Sequence, residues 1–388
     1  MKSDTKLVHL GREDAREEGT VNLPVYRAST ILSTDVDSYL ARFDGERAYT
    51  HVTYGAGGTQ NARALAEAVA AFEGGVATVV TASGLSAITV SLGALVGAGD
   101  HILVTDSAYG PTRKYCSEVL ARYGVETTFY DPGLGAGIED LIRPNTRLVY
   151  LEAPGSLTFE MQDVPLICEV ANRLGVLSVM DNTWATPLFF QVFEHGVDVS
   201  IQAGTKYVAG HSDVIIGLVT TNDWALYKQI REHSRTLGDV AGPDDCYLAL
   251  RGLRTLGVRL PRQYQSALAV AAWLEQHPGV ETVLYPALES DPGHRLWKRD
   301  FQGGASLFGV ALKTTDEELA KEAVNKLELF EIGSSWGGYE SLVAFNRMPV
   351  ERAVVPWTHK PFMLRVHIGL ESAEDLIADL EQAFATLC

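Results

Sequence analysis

A lysine set in a turn of small residues, Lys206 of "SIQAGTKYVAGHSD" (residues 200–213), is poorly explained by packing. Lysine is rarely buried without a partner. Its amine could sit at the surface, clamp a phosphate, or bond covalently to a carbonyl. Three further groups belong to the same question. Ser83 and Gly84 open "SGLSAITVSLGAL", where free backbone N–H groups and a helix dipole attract an anion. Asp181 closes "VLSVMD", and Tyr109 sits in "SAYGP". Taken singly, each has an ordinary structural reading as an N-cap, a turn cap, a packing ring or a solvated charge. Taken in order, each after a separate apolar run, they suit pyridoxal phosphate. The cradle takes the phosphate, the carboxylate keeps the pyridine nitrogen protonated, and the lysine bonds the aldehyde as a Schiff base.

Such groups need strands that end where they stand. "DHILVTD" (100–106) is a short apolar run stopped by the turn at "SAYGP", and "PTRKYCSEVLARYG" then reads as a helix opened by proline and closed by glycine. "VETTFYD", "TRLVYLEAP", "VLSVMD" and "DVIIGLVTT" read as further strands. "DVPLICEVANRLG" places Ile167, Val170, Ala171 and Leu174 at helical spacing. This alternation predicts an α/β domain on a mostly parallel sheet, whose ligands bind at strand carboxyl ends. Three regions follow. Residues 1–58 lack periodicity and read as an arm that packs on something else; residues 59–252 form the cofactor domain. Residues 253–388 run from the helical "LPRQYQSALAVAAWLEQHPGV" to strand-like "FMLRVHIGL" and helical "SAEDLIADLEQAFATL", a smaller α+β domain.

Composition excludes several classes. The 388 residues exceed the usual size of one core, and 46% are hydrophobic against 21% charged, as in a soluble globular chain. A net charge of −17 argues against nucleic acid and anionic membranes as partners. No apolar run is long enough to span a bilayer, and "MKSDTKLVHLGREDAREEG" lacks the apolar core of a signal peptide. The cysteines, Cys116, Cys168, Cys246 and Cys388, form no CxxC pair. They read as reduced packing residues of a cytoplasmic protein and give zinc no support.

"DVSIQAGTKYVAGHSD" resembles the lysine signature of the pyridoxal-phosphate enzymes of cysteine and methionine metabolism, the trans-sulfuration enzymes. The resemblance extends along the chain through "NLPVYRAST", "LEAPGSLTFEMQDVP", "DNTWATPLFF", "LRGLRTLGVRL", "HRLWKRDF", "SSWGGYESL" and "LRVHIGLES", with bacterial cystathionine β-lyases as the most similar branch. It implies the aspartate-aminotransferase-like fold (fold type I), with a large seven-stranded sheet domain and a smaller C-terminal one, in a homotetramer of catalytic dimers. It makes Lys206 the Schiff-base lysine and proton shuttle, pairs Asp181 with the pyridine nitrogen and stacks Tyr109 on the ring. Gly84, Leu85 and Thr205 would hold the phosphate, with Tyr54 reaching in from a neighbouring subunit. Arg365 would grip the α-carboxylate of an amino-acid substrate, and Ser335 and Trp336 would line its site. The implied reaction is α,β-elimination from cystathionine or a related cysteine thioether.

Departures fall at the far end of that site. Ala56 and Gly57 of "TYGAGGT" stand where the family tends to carry arginines, Ser334 where its bacterial lyases have an aromatic residue, and Lys114 where an acidic residue is expected. Arg47, His51 and Lys114 are the cations that the sequence offers in compensation, with Lys114 facing substrate. A β-lyase, a racemase, γ-lyase or γ-replacement enzyme on the same scaffold, and a non-enzymatic cofactor-binding regulator all remain open at this point. Retention of Lys206, Tyr109, Asp181 and Arg365 together counts against the last.

Overall fold

In the computed structural model, which describes residues 1–17, 19–350 and 352–387, the apolar runs become seven strands of one sheet. They are β1 (Ala77–Thr81), β2 (His101–Thr105), β3 (Glu126–Tyr130), β4 (Thr146–Glu152), β5 (Leu177–Asp181), β6 (Val199–Gln202) and β7 (Gly217–Thr221). Their spatial order is β1-β7-β6-β5-β4-β2-β3. β2 to β6 run parallel, while β7 lies antiparallel to both of its neighbours. β2, β6 and β7 are buried along their whole length, because helices cover both faces. Strand alternation divides the core accordingly. Leu103, Val149, Leu151 and Met180 join one apolar cluster with the helices Gln60–Glu73 and Val164–Arg173. Ile102, Val104, Leu148, Tyr150 and Val179 face the opposite way, toward Gly84–Leu95 and Trp224–Leu237.

Local chemistry sets the helix starts. The hydroxyl of Ser83 accepts the Ser86 N–H at 3.0 Å, Asp163 accepts that of Leu166, and Asp223 that of Leu226. The helix expected after "SAYGP" begins at Gly110 but widens into a π-helical stretch over Tyr115–Leu120.

The long helix Leu256–Gln276 leads to a second sheet of β8 (Val280–Leu284), β9 (Leu307–Leu312), β10 (Glu331–Ile332), β11 (Leu342–Arg347) and β12 (Phe362–His367), in the order β10-β11-β12-β9-β8. This sheet is antiparallel except for the β10–β11 pair. The helix Ala373–Phe384, capped by Ser372, packs its apolar face beneath it.

The first part of the chain is more anchored than its lack of periodicity suggests. Leu7, Ala15 and Leu23 are buried, and the Arg254 guanidinium donates to the carbonyls of Leu7 and Leu10. The following stretch leaves Leu32 84% and Val36 71% exposed, with Tyr39, Leu40 and Phe43 beside them. Cys116, Cys168 and Cys246 are buried free thiols, each pushed up to about 12 by burial; Cys388 lies outside the described residues.

Candidate active site

β4, β5 and β6 deliver their carboxyl ends to one cavity of about 210 Å³. It is lined by Gly84, Leu85, Tyr109, Asp181, Thr205, Lys206, Trp336 and Arg365, which brings together most of the expected residues. Ser335 joins them through its hydroxyl, which accepts from Lys206 Nζ at 2.8 Å. The same ammonium lies 5.3 Å from the centre of the Trp336 ring.

The cradle fits an anion. Gly84 and Leu85 stand at the helix start, where N–H groups have no intrahelical acceptor. A Cβ on Gly84 would come within 2.5 Å of the Ala203 Cβ, so only glycine lets this helix start approach the turn that carries Lys206. Thr205 is engaged elsewhere: its hydroxyl donates to the Ile216 carbonyl at 3.2 Å and accepts the Ile216 N–H at 2.9 Å.

The electrostatics fit a cationic ring and a reactive amine. Asp181 receives the Thr183 N–H at 2.9 Å, and burial raises its carboxyl despite that bond. A carboxylate so placed, bonded by Thr183 rather than by a cation, suits a protonated pyridine nitrogen. Burial, aided by the charge of Arg365 and opposed by that of Asp181, lowers Lys206 to about 8. Arg365 donates to the carbonyl of Ser334, which fixes the guanidinium at the cavity wall. These observations together fit pyridoxal phosphate: Gly84 and Leu85 for phosphate, Asp181 for the ring nitrogen, Tyr109 for its face, Lys206 for the aldehyde.

Two expected residues lie apart. Tyr54 is 53% exposed and does not line the cavity of its own chain. Lys114 lines an adjoining cavity that shares Ser156 and Leu157 with the first, and its ammonium is 4.0 Å from Glu118. Ala56, Gly57 and His51 line a third cavity. There a cation beside them is one that sequence reasoning passed over: Arg231, half-buried on its helix, donates to the Gly57 carbonyl.

Glu152 and His367 were missed as well. Glu152 ends β4 just as Asp181 ends β5, as its partner in register, and accepts the Tyr109 N–H at 2.8 Å. Burial, and then the charge of Asp181, push its carboxyl well above the usual range. The apolar run "TRLVYLEAP" ending in an acid was the signal available. His367 carries no such signal.

Residues 4–385 match the sequence family described as Cys/Met metabolism PLP-dependent enzyme. The chain is 41% identical to cystathionine beta-lyase MetC of Escherichia coli K12, covering 100% of this chain and 99% of that protein. It is 39% identical to an L-alanine/L-glutamate racemase of Wolbachia pipientis wMel, covering 100% and 98%. The crystal structure of metB from Corynebacterium glutamicum superposes with a TM-score of 0.91 at 30% identity, over 100% of this chain and 99% of that one.

Proposed function

The chain belongs to the Cys/Met metabolism PLP-dependent enzymes, and on that premise we propose that it is a carbon–sulfur β-lyase of the cystathionine β-lyase type. Its products would be a thiol, pyruvate and ammonia. The observation that carries the reading is the meeting of Lys206, Asp181, Tyr109 and Arg365 in one cavity at the strand ends. Bound there, pyridoxal phosphate supplies an electron sink for the charge left when the α-proton departs. Arg365 grips the substrate carboxylate in a planar fork that lysine could not reproduce, turning the α-hydrogen toward Lys206. Lys206, lowered to about 8, has its amine half neutral near that pH, far below an ordinary lysine, and takes that proton. Ser335 steadies the amine between turnovers through its 2.8 Å contact. Asp181 holds negative charge where the ring nitrogen must stay protonated, and Tyr109 covers the ring.

A racemase reading stays open through one feature of the sequence: Ala56 and Gly57 stand where the family tends to carry arginines and Lys114 where it tends to carry an acid, which alters recognition of the far end of cystathionine. A product assay across L-cystathionine, L-cystine, L-alanine and L-homoserine derivatives decides. Pyruvate and thiol support the lyase, whereas the opposite enantiomer, or a four-carbon keto acid, replaces it with a racemase or γ-lyase. We infer that the arm, residues 1–58, contacts a neighbouring subunit of a homotetramer, with Tyr54 serving that neighbour, and we place the enzyme in the cytoplasm. The exposed apolar stretch from Leu32 to Phe43 supports the first assignment, and the buried free thiols support the second. Among the described residues no helix is long and apolar enough to cross a membrane.

A further inference from the structure

The hydroxyl that meets Lys206 comes from a loop of the second sheet, Gly333 to Ser341, so something must set that loop on the lysine. Its closest approach is at Gly337, where a Cβ would lie 2.8 Å from the Lys206 carbonyl carbon and from the Tyr207 nitrogen. Two residues on one face of β12 hold the loop. Arg365 takes the carbonyl of Ser334, and His367 accepts the Gly337 N–H on Nε2 at 3.1 Å. The Nδ1 of His367 lies 3.1 Å from the Ser306 hydroxyl, which in turn is 3.0 Å from the Tyr207 hydroxyl. The Ser306 N–H also donates to the Tyr207 oxygen at 3.0 Å. A ring of contacts therefore runs from Lys206 through Ser335, Gly337, His367, Ser306 and Tyr207 back to Lys206.

We propose that His367 is the positioning residue that keeps Ser335 on Lys206, by fastening Gly337 with one ring nitrogen and Tyr207, through Ser306, with the other. The tautomer is fixed by the partners. Because Nε2 accepts from Gly337, the proton sits on Nδ1 and points to Ser306. The Gly338 carbonyl, 3.3 Å from Nε2, already takes the Gln263 side-chain amide at 2.6 Å and does not need the imidazole proton. A second proton on Nε2 would face the Gly337 N–H. Burial agrees with the geometry: His367 is 1% exposed and is pushed down to about 3, so it stays neutral wherever the enzyme is folded. Of the ring, only Lys206 lines the cavity, with Ser335 bonded to it, so His367 acts through them.

The inference rests on Lys206 being the covalent lysine, and not on which substrate is turned over. Its test compares two holoenzyme variants. In His367→Gln the amide oxygen reaches the place of Nε2 and accepts from Gly337. In His367→Asn the shorter amide reaches only Ser306. Losing a buried acceptor bond of this kind should lower kcat about tenfold to a hundredfold in His367→Asn with KM little changed, whereas His367→Gln stays within about threefold. The spectroscopic pH titration of the bound cofactor should shift in His367→Asn and not in His367→Gln. If His367→Asn does not fold, His367→Leu, which fills the space and offers the Gly337 N–H no acceptor, should show the same shift. Equal kcat in both variants, or an unmoved titration beside a lowered melting temperature, overturns the proposal and leaves His367 a core residue. Borohydride label that misses Lys206 would instead overturn the functional reading beneath it.

Discussion

Lys206 gives the sharpest chemical expectation, because its environment pulls in two directions. Burial and Arg365 lower its pKa, Asp181 raises it, and the first two win, leaving about 8. An ordinary lysine, near 10.4, is almost wholly charged at neutrality. In the cofactor-free protein, acylation of Lys206 by an amine reagent should therefore rise with pH to a midpoint near 8, followed by peptide mapping. A midpoint above 10 would mean that the amine is solvated and not poised. The residue types were legible in the sequence, because Lys206, Asp181 and Tyr109 each follow an apolar run that had to be a strand. His367 was not. It lies inside "FMLRVHIGL" with no neighbour to mark it, and its role depends on Gly337 and Ser306, which only the packed sheets bring near.

Between helix and sheet sits a carboxyl that no step of the chemistry uses. Glu73 ends the helix Gln60–Glu73 and is 2% exposed, with the Gln202 amide donating to it and the other oxygen unpartnered. Burial raises it from 4.5 to about 7, so the folded state binds its proton more tightly than the unfolded chain does. The stability that this protonation supports is complete below the unfolded pKa and is lost as pH rises through about 7. We expect the parent to lose roughly 3 kcal/mol between pH 4.5 and 8 from this group, and Glu73→Gln to flatten that slope in urea titrations. A parent curve already flat over this window would show Glu73 to be ionised in the fold. The strands beside it were read correctly from their apolar runs, and the mostly parallel sheet followed from their alternation with helices. The reversed direction of β7 was not legible: "DVIIGLVTT" has the composition of a buried strand in either direction, and pairing with β1 and β6 decides it.

For the molecule as a whole and its proposed assembly, the exposed stretch of the arm matters most. Leu32 and Val36 stand 84% and 71% exposed, a costly arrangement for a lone chain and an ordinary one for a subunit. Replacing both by aspartate should weaken association by at least tenfold, seen in sedimentation velocity as a lighter species at low concentration. A double variant that sediments like the parent would place the interface elsewhere. Arg231 bears on the same boundary. If its guanidinium, held on Gly57, supplies the charge missing at Ala56 and Gly57, Ala56→Arg should leave cofactor retention after dialysis nearly unchanged. If nothing supplies it, the added charge-assisted bond tightens retention about tenfold to a hundredfold. The arm's own packing was illegible because Leu7, Ala15 and Leu23 find partners such as Arg254 and Ala64 far along the chain, and short-range periodicity records none of that.

The three buried thiols bear on what happens when this enzyme releases its product. A β-lyase of this kind sheds a thiol close to its own surface on every cycle, and thiols and their disulfides exchange through thiolate attack. With Cys116, Cys168 and Cys246 each near 12, only about one molecule in 100,000 carries a given thiolate at pH 7, and none is open to the solvent. At these three positions, the cysteines among the described residues, the catalyst is thus chemically deaf to the compound it makes and to its oxidised forms. Incubation of the native protein with excess cystine or Ellman's reagent should leave these three positions unmodified in peptide maps, and unfolding in urea should make all three react. Mixed disulfide on any of them in the native state would show that the core opens on the timescale of turnover.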